Sequence, residues 1–179
     1  MGHSNIFLVG MMGAGKTTVG RALAHRMKRE FVDTDRVLVE RTGVPVATVF
    51  EIEGEDGFRR RESAVLREVC EQDGRVVATG GGIVLAEENR TVMRDAGTVI
   101  YLRARVESLW ERIRHDTSRP LLATADPRAR LAELLLEREP MYRDAAHLVV
   151  DSGPQSASTL VGRVIAALRA REPGAASRP

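Results

Sequence analysis

Cysteine, lysine and long apolar runs are all scarce in this chain of 179 residues. The one cysteine, Cys70, excludes an internal disulfide. Its place in a helical pattern (Ala64, Val65, Leu66, Val69, Cys70) reads as a small packing residue rather than a redox or catalytic thiol. No stretch approaches the ~18 apolar residues of a membrane span, and the N-terminus lacks a signal-peptide pattern. No membrane partner is therefore expected, and the location reads as cytoplasmic. Net charge is only +2, because 27 basic residues face 25 acidic ones. The pI of 9.1 comes without any long run of one sign, so composition gives nucleic-acid binding no support. None of the 4 histidines stands near another metal-type ligand at diagnostic spacing, which argues against zinc. Lysine occurs only as Lys16 and Lys28, and the first of these lies in the most informative segment of the chain.

What the sequence does have is alternation. Short apolar runs at Ile6–Val9, Phe31–Thr34, Val76–Thr79, Thr98–Leu102 and His147–Val150 read as strands. Helical patterns lie near 16–28, 57–72, 87–95, 106–115, 127–138 and 155–170. This predicts an α/β fold, a five-stranded parallel sheet with helices on both faces and ligands at the carboxyl ends of the strands. No repeat or linker divides the chain, so residues 1–171 are expected to form a single domain. The segment at about 114–126 has no clear period and contains Arg119-Pro120, which favours a mobile lid over simple disorder. The Pro-, Gly- and Ser-rich tail at 172–179 is expected to be disordered.

Each strand end carries chemistry. After the first strand, Gly10–Thr17 reads G-M-M-G-A-G-K-T, a complete phosphate-binding loop with strand before it and helix after it. Glycines at 10, 13 and 15 let backbone N–H groups turn inward and cradle phosphates in such a loop. Lys16 reaches the β- and γ-phosphates, Thr17 ligates Mg²⁺, and the helix N-terminus adds positive potential. A nucleoside triphosphate ligand follows. After the second strand, Asp33 and Asp35 stand two apart and would project to one side of an extended strand end. One could hold Mg²⁺ through water while the other accepts a hydrogen bond from an attacking hydroxyl, as phosphoryl transfer requires. The competing reading is that Asp35 only caps the helix that follows at Arg36–Glu40.

After the third strand come Gly80-Gly81-Gly82, which serve little purpose unless something approaches the backbone closely. No acidic pair of the Walker B type ends an apolar strand, which argues against switch GTPases and motor ATPases. Arg59 and Glu62 are spaced i,i+3 and could form an ion pair, although the residues alone favour a solvated basic face for Arg59-Arg60-Arg61. Arg119 could swing from the lid onto the transferring phosphate. Arg138, near the end of its predicted helix, could instead serve that helix's C-terminus.

These residues resemble shikimate kinase, a small P-loop kinase family, over nearly the whole chain from Asn5 to about Leu168. The resemblance rests on Gly10–Thr18, Phe31–Asp35, Gly54-Glu55 with Phe58-Arg59 and Glu62, Gly80–Gly82, Arg119–Leu122, and Arg138 with Tyr142. It implies the P-loop kinase fold with a mobile lid, and transfer of the γ-phosphate of ATP to the 3-hydroxyl of shikimate. ATP would be held by Gly13, Ala14, Gly15, Lys16, Thr17 and Thr18, and Mg²⁺ by Thr17 and Asp33. Lys16, Asp35 and Arg119 would be catalytic, and Asp35, Arg59, Gly81 and Arg138 would hold shikimate. Arg112 and Gln155 would lie on the adenine side. A monomer is expected. A gluconate-type kinase and a non-catalytic nucleotide-binding module are the competing readings, separated from the first by which acceptor stimulates turnover.

Overall fold

A computed structural model describes residues 4–171, so the tail at 172–179 lies outside the described residues. The five strands are β1 (Asn5–Val9), β2 (Phe31–Asp33), β3 (Val76–Ala78), β4 (Gly97–Arg103) and β5 (Leu148–Asp151). They pair in parallel in the order β2-β3-β1-β4-β5. Successive residues of β1 point to opposite faces, and all of them are buried, so helices must cover the sheet on both sides. Among the described residues the helices are α1 (Lys16–Met27), α2 (Thr34–Thr42), α3 (Val46–Cys70), α4 (Glu87–Ala96), α5 (Val106–Ile113), α6 (Pro127–Ala145) and α7 (Ala157–Arg171). Helix α1 packs on α7 and β3, while α4 and α6 pack on each other and on β4. One apolar core runs through the sheet, from Phe7, Leu8 and Ile100 outwards to Leu66, Met93 and Val161.

The predicted strands are present with ends shifted by at most one residue, and three helical features differ from expectation. The first part of α3 lies where no helical segment was expected, across Pro45 and Gly54, and α2 runs from Thr34 to Thr42 around the short helix that the competing reading of Asp35 placed at Arg36–Glu40. Strand β2 stops at Asp33, because the Asp33 carboxylate caps α2 by accepting the backbone N–H groups of Asp35 and Arg36. Asp33, not Asp35, is therefore the capping residue. Helix α6 continues past 138 to Ala145 with Pro140 inside it. The proline gives up its hydrogen bond to the Leu136 carbonyl, on a turn where Leu136 is exposed. Arg138 thus sits inside a helix, which removes the C-terminal reading of its role. Cys70 is half-buried, and burial pushes its thiol up to about 11, as expected of a packing residue.

Candidate active site

The carboxyl ends of β1, β2 and β3 converge with α3, α6 and the lid segment on a cleft in two adjoining halves. One half, of about 240 Å³, is lined by Gly13, Gly15, Lys16, Thr17, Thr18 and Asp33. The other, of about 230 Å³, is lined by Phe58, Arg59, Glu62, Gly80, Gly82 and Arg138. Met12, Asp35, Gly81 and Arg119 line both, so they form the boundary across which a group would pass from one half to the other. Ala14 lines neither half: its side chain is buried, and it serves the loop through its backbone.

In the first half, the buried Lys16 ammonium donates to the carbonyls of Gly10 at 2.7 Å and Met11 at 2.9 Å. Burial lowers its pKa to about 8 against the raising pull of Asp35. An incoming phosphate would compete with those two carbonyls for the charge. Thr17 Oγ1 donates to Asp33 Oδ2 at 2.7 Å, and Asp33 Oδ1 accepts from the Asp35 amide at 3.1 Å. One carboxylate therefore links the phosphate loop to the start of α2. Asp35, in the first turn of α2 rather than on an extended strand end, still shares the cavity with Asp33. Its carboxyl is pushed up by burial and then by Asp33, and is held down by Lys16.

In the second half, the ion pair expected from i,i+3 spacing is present. Arg59 Nη1 donates to Glu62 Oε2 at 2.8 Å, and Arg59 Nη2 to Glu55 Oε1 at 3.1 Å. The solvated-face reading therefore fails for Arg59. Burial raises the Glu62 pKa despite the neighbouring guanidinium. The glycine run makes this packing possible. A Cβ on Gly80 would stand 2.4 Å from Glu62 Oε1, and one on Gly82 would stand 2.1 Å from Arg59 Nη1. Arg138 is only 3% exposed. Its Nε, Arg59 Nε and Glu62 Oε1 are all buried without a hydrogen-bond partner.

Arg119 reaches both halves from the segment after α5, which folds into a short 3₁₀ turn at Pro120–Leu122. Its Nε lies 2.9 Å from Asp116 Oδ2, a charge contact without hydrogen-bond alignment. Arg112 and Gln155 line neither half. The Arg112 guanidinium donates to the carbonyls of Gly13 at 2.9 Å and Gly153 at 2.7 Å, and Gln155 Nε2 donates to the Asp151 carbonyl at 2.7 Å. Ser152, and the contact that Tyr142 makes, were not legible in the sequence. Buried Ser152 donates to the Ala14 carbonyl at 2.7 Å, tying the loop after β5 to the phosphate loop. Tyr142 donates to the Gly81 carbonyl from behind the cleft.

The described residues include no cluster of three or more His, Cys, Asp or Glu able to hold a metal by themselves. Mg²⁺ bound with a triphosphate does not need one, since one or two protein oxygens complete a shell of phosphate and water oxygens. Thr17 Oγ1 and Asp33 Oδ2 are hard donors placed together beside Lys16, and they fit such an ion.

A family model described as shikimate kinase matches residues 12–169. A shikimate kinase of Nitrosospira multiformis is 59% identical over 85% of this chain and 78% of its own length. One from Bordetella pertussis is 57% identical over 93% of this chain and 79% of its own. Among solved structures, shikimate kinase from Acinetobacter baumannii in complex with shikimate superposes with a TM-score of 0.92, at 41% identity and 94% coverage of both chains.

Proposed function

We propose that this chain, which belongs to the shikimate kinase family, divides phosphoryl transfer between the two halves of its cleft. The reaction moves the γ-phosphate of ATP to the 3-hydroxyl of shikimate, giving shikimate 3-phosphate in aromatic amino acid biosynthesis. The observation that carries the acceptor side is the pair of buried, unpartnered Nε donors on Arg59 and Arg138. Buried donors of this kind are costly until an anion accepts from them, and guanidinium forks suit a planar carboxylate. Shikimate brings one. Glu62 holds Arg59 in place for it, and Gly81 supplies close backbone approach.

On the donor side, the loop amides around Gly13, Ala14 and Gly15, with Thr18, hold the phosphates of ATP, and Lys16 supplies a point charge. Thr17 and Asp33 would hold Mg²⁺, which would supply charge neutralisation for the phosphates. Asp35 at the boundary orients the 3-hydroxyl and accepts its proton as the oxygen bonds to the γ-phosphorus and the bond to ADP breaks. Arg119 stabilises the charge that develops on the transferring group. Lid residues 114–126 close over the pair and exclude water, which would otherwise compete as acceptor. Arg112 and Gln155 act on the adenine side, Arg112 while bridging Gly13 and Gly153. The reading is completed by a monomer, a single domain over residues 1–171 and a cytoplasmic location.

ADP release from MgATP by the purified protein tests this reading, measured with no acceptor, with shikimate and with gluconate. Strong stimulation by shikimate alone is expected. Stimulation by gluconate would move the acceptor-side residues to other roles, and ATP binding without stimulated turnover would overturn the reading.

A further inference from the structure

Tyr142 is completely buried, yet its hydroxyl is not spent inside the core. It donates to the Gly81 carbonyl, and the same oxygen lies 3.3 Å from Met11 Sδ on the phosphate loop. Gly81 belongs to the wall shared by the two halves of the cleft. A Cβ built on it would stand 3.4 Å from the Met12 amide nitrogen, 3.6 Å from the Gly10 carbonyl oxygen and 3.8 Å from Arg138 Nη1. The Gly81 backbone is therefore wedged between the phosphate loop and Arg138, with the phenol behind it.

Tyr142 follows Arg138 by four residues on α6, so one helix face carries both the buried cation and the phenol. The phenol is itself held. Its ring stacks on Tyr101 at 4.9 Å between centroids. All peptide bonds among the described residues are trans. Pinning the Gly81 carbonyl towards Tyr142 therefore turns the N–H of that peptide, on Gly82, the opposite way. Gly82 lines the acceptor half.

We infer that Tyr142 is a positioning residue for the acceptor: its hydroxyl fixes the plane of the Gly81–Gly82 peptide, and with it the spacing between that backbone and Arg138. The inference rests on shikimate being the acceptor. The phenol touches neither substrate, and its effect passes through the backbone it holds.

Tyr142→Phe keeps the ring and its stack but removes the bond. The loss of one buried hydrogen bond predicts a rise in shikimate KM of about tenfold, with ATP KM within about twofold of the parent. Tyr101→Phe is the control, because it removes another buried phenolic hydroxyl that touches no part of the cleft wall; its shikimate KM is expected to match the parent. An unchanged shikimate KM in Tyr142→Phe, an equal rise for both substrates, or the same rise in Tyr101→Phe overturns the inference. Parent protein that shows no shikimate-dependent turnover would instead fail the functional reading itself.

The chain has only 2 tyrosines, which provides a test that does not depend on the variant folding. Parent protein labelled with 3-fluorotyrosine gives two ¹⁹F resonances, assigned with labelled Tyr101→Phe. Shikimate should shift the Tyr142 signal more than the Tyr101 signal. A Tyr142 signal that ignores shikimate also overturns the inference.

Discussion

Lys16 and Asp35 line the same half of the cleft, and burial pushes both towards neutrality. The lysine falls to about 8, while the aspartate is raised from its ordinary value. The two shifts bound a pH window. Asp35 accepts a proton only when ionised, so activity should rise with pH as its raised pKa is passed. Lys16 attracts phosphate only when protonated, so activity should fall above about pH 8. A plot of kcat/KM against pH for the free enzyme is expected to show both limbs. Asp35→Asn should lower kcat by about 10²–10⁴-fold and abolish the rising limb while leaving the falling limb in place. A rising limb that survives in Asp35→Asn would assign proton acceptance to another group and leave Asp35 a positioning role.

At the scale of elements, α3 is the part of the fold that shapes the acceptor half. It is not one straight helix, because Gly54 takes φ 69° and ψ −179° and breaks it. Val46 and Phe50 before the break, and Phe58, Arg59 and Glu62 after it, all line the same cavity. The break folds Phe50 back to 4.4 Å from Phe58 between ring centroids. Only glycine adopts this backbone cheaply, and nothing lies within 4 Å of where a Cβ would stand. Gly54→Ala should therefore cost about 2 kcal/mol through backbone strain alone, read as a lower urea midpoint, and should raise shikimate KM by misaligning the two limbs. An unchanged midpoint would mean that the break is not intrinsic to Gly54.

The same region marks where sequence reading stopped. The phosphate loop, the glycine run and Arg119-Pro120 announce themselves locally, because a few residue types at fixed spacing make the chemistry. The first limb of α3 does not, since Pro45 and Gly54 break the periodicity on either side of it, and α2 is legible only as the short run Arg36–Glu40. Arg59 looked like part of a solvated face until Glu62 and Gly82 packed around it. Pro140 concealed the final turns of α6, and with them the interior position of Arg138. Ser152 and the hydroxyl of Tyr142 act through contacts with Ala14 and Gly81, distant in sequence, so no local pattern could reveal them.

Across the whole molecule, the cleft is built from pieces that sequence keeps far apart. α1, α2, both limbs of α3, the loop after β3 and α6 each contribute a wall. A ligand in the acceptor half therefore touches elements on both sides of the central strand and should stabilise them together. The core offers no division at which one half could melt alone, since the buried cluster runs from β2 through β1 to β5. Shikimate at about 100 times its Kd should contribute about 2.7 kcal/mol, which for a chain of this size moves Tm upward by roughly 5–10 °C. Scanning calorimetry is expected to show one cooperative transition that moves as a whole. Two transitions, with shikimate moving only one, would make the acceptor half a separately folding unit and contradict the single domain proposed for residues 1–171. The Arg138→Met variant distinguishes general stabilisation from capture of the carboxylate. It removes the buried cation while keeping an apolar side chain against the core, so it should lose most of the shikimate-induced shift.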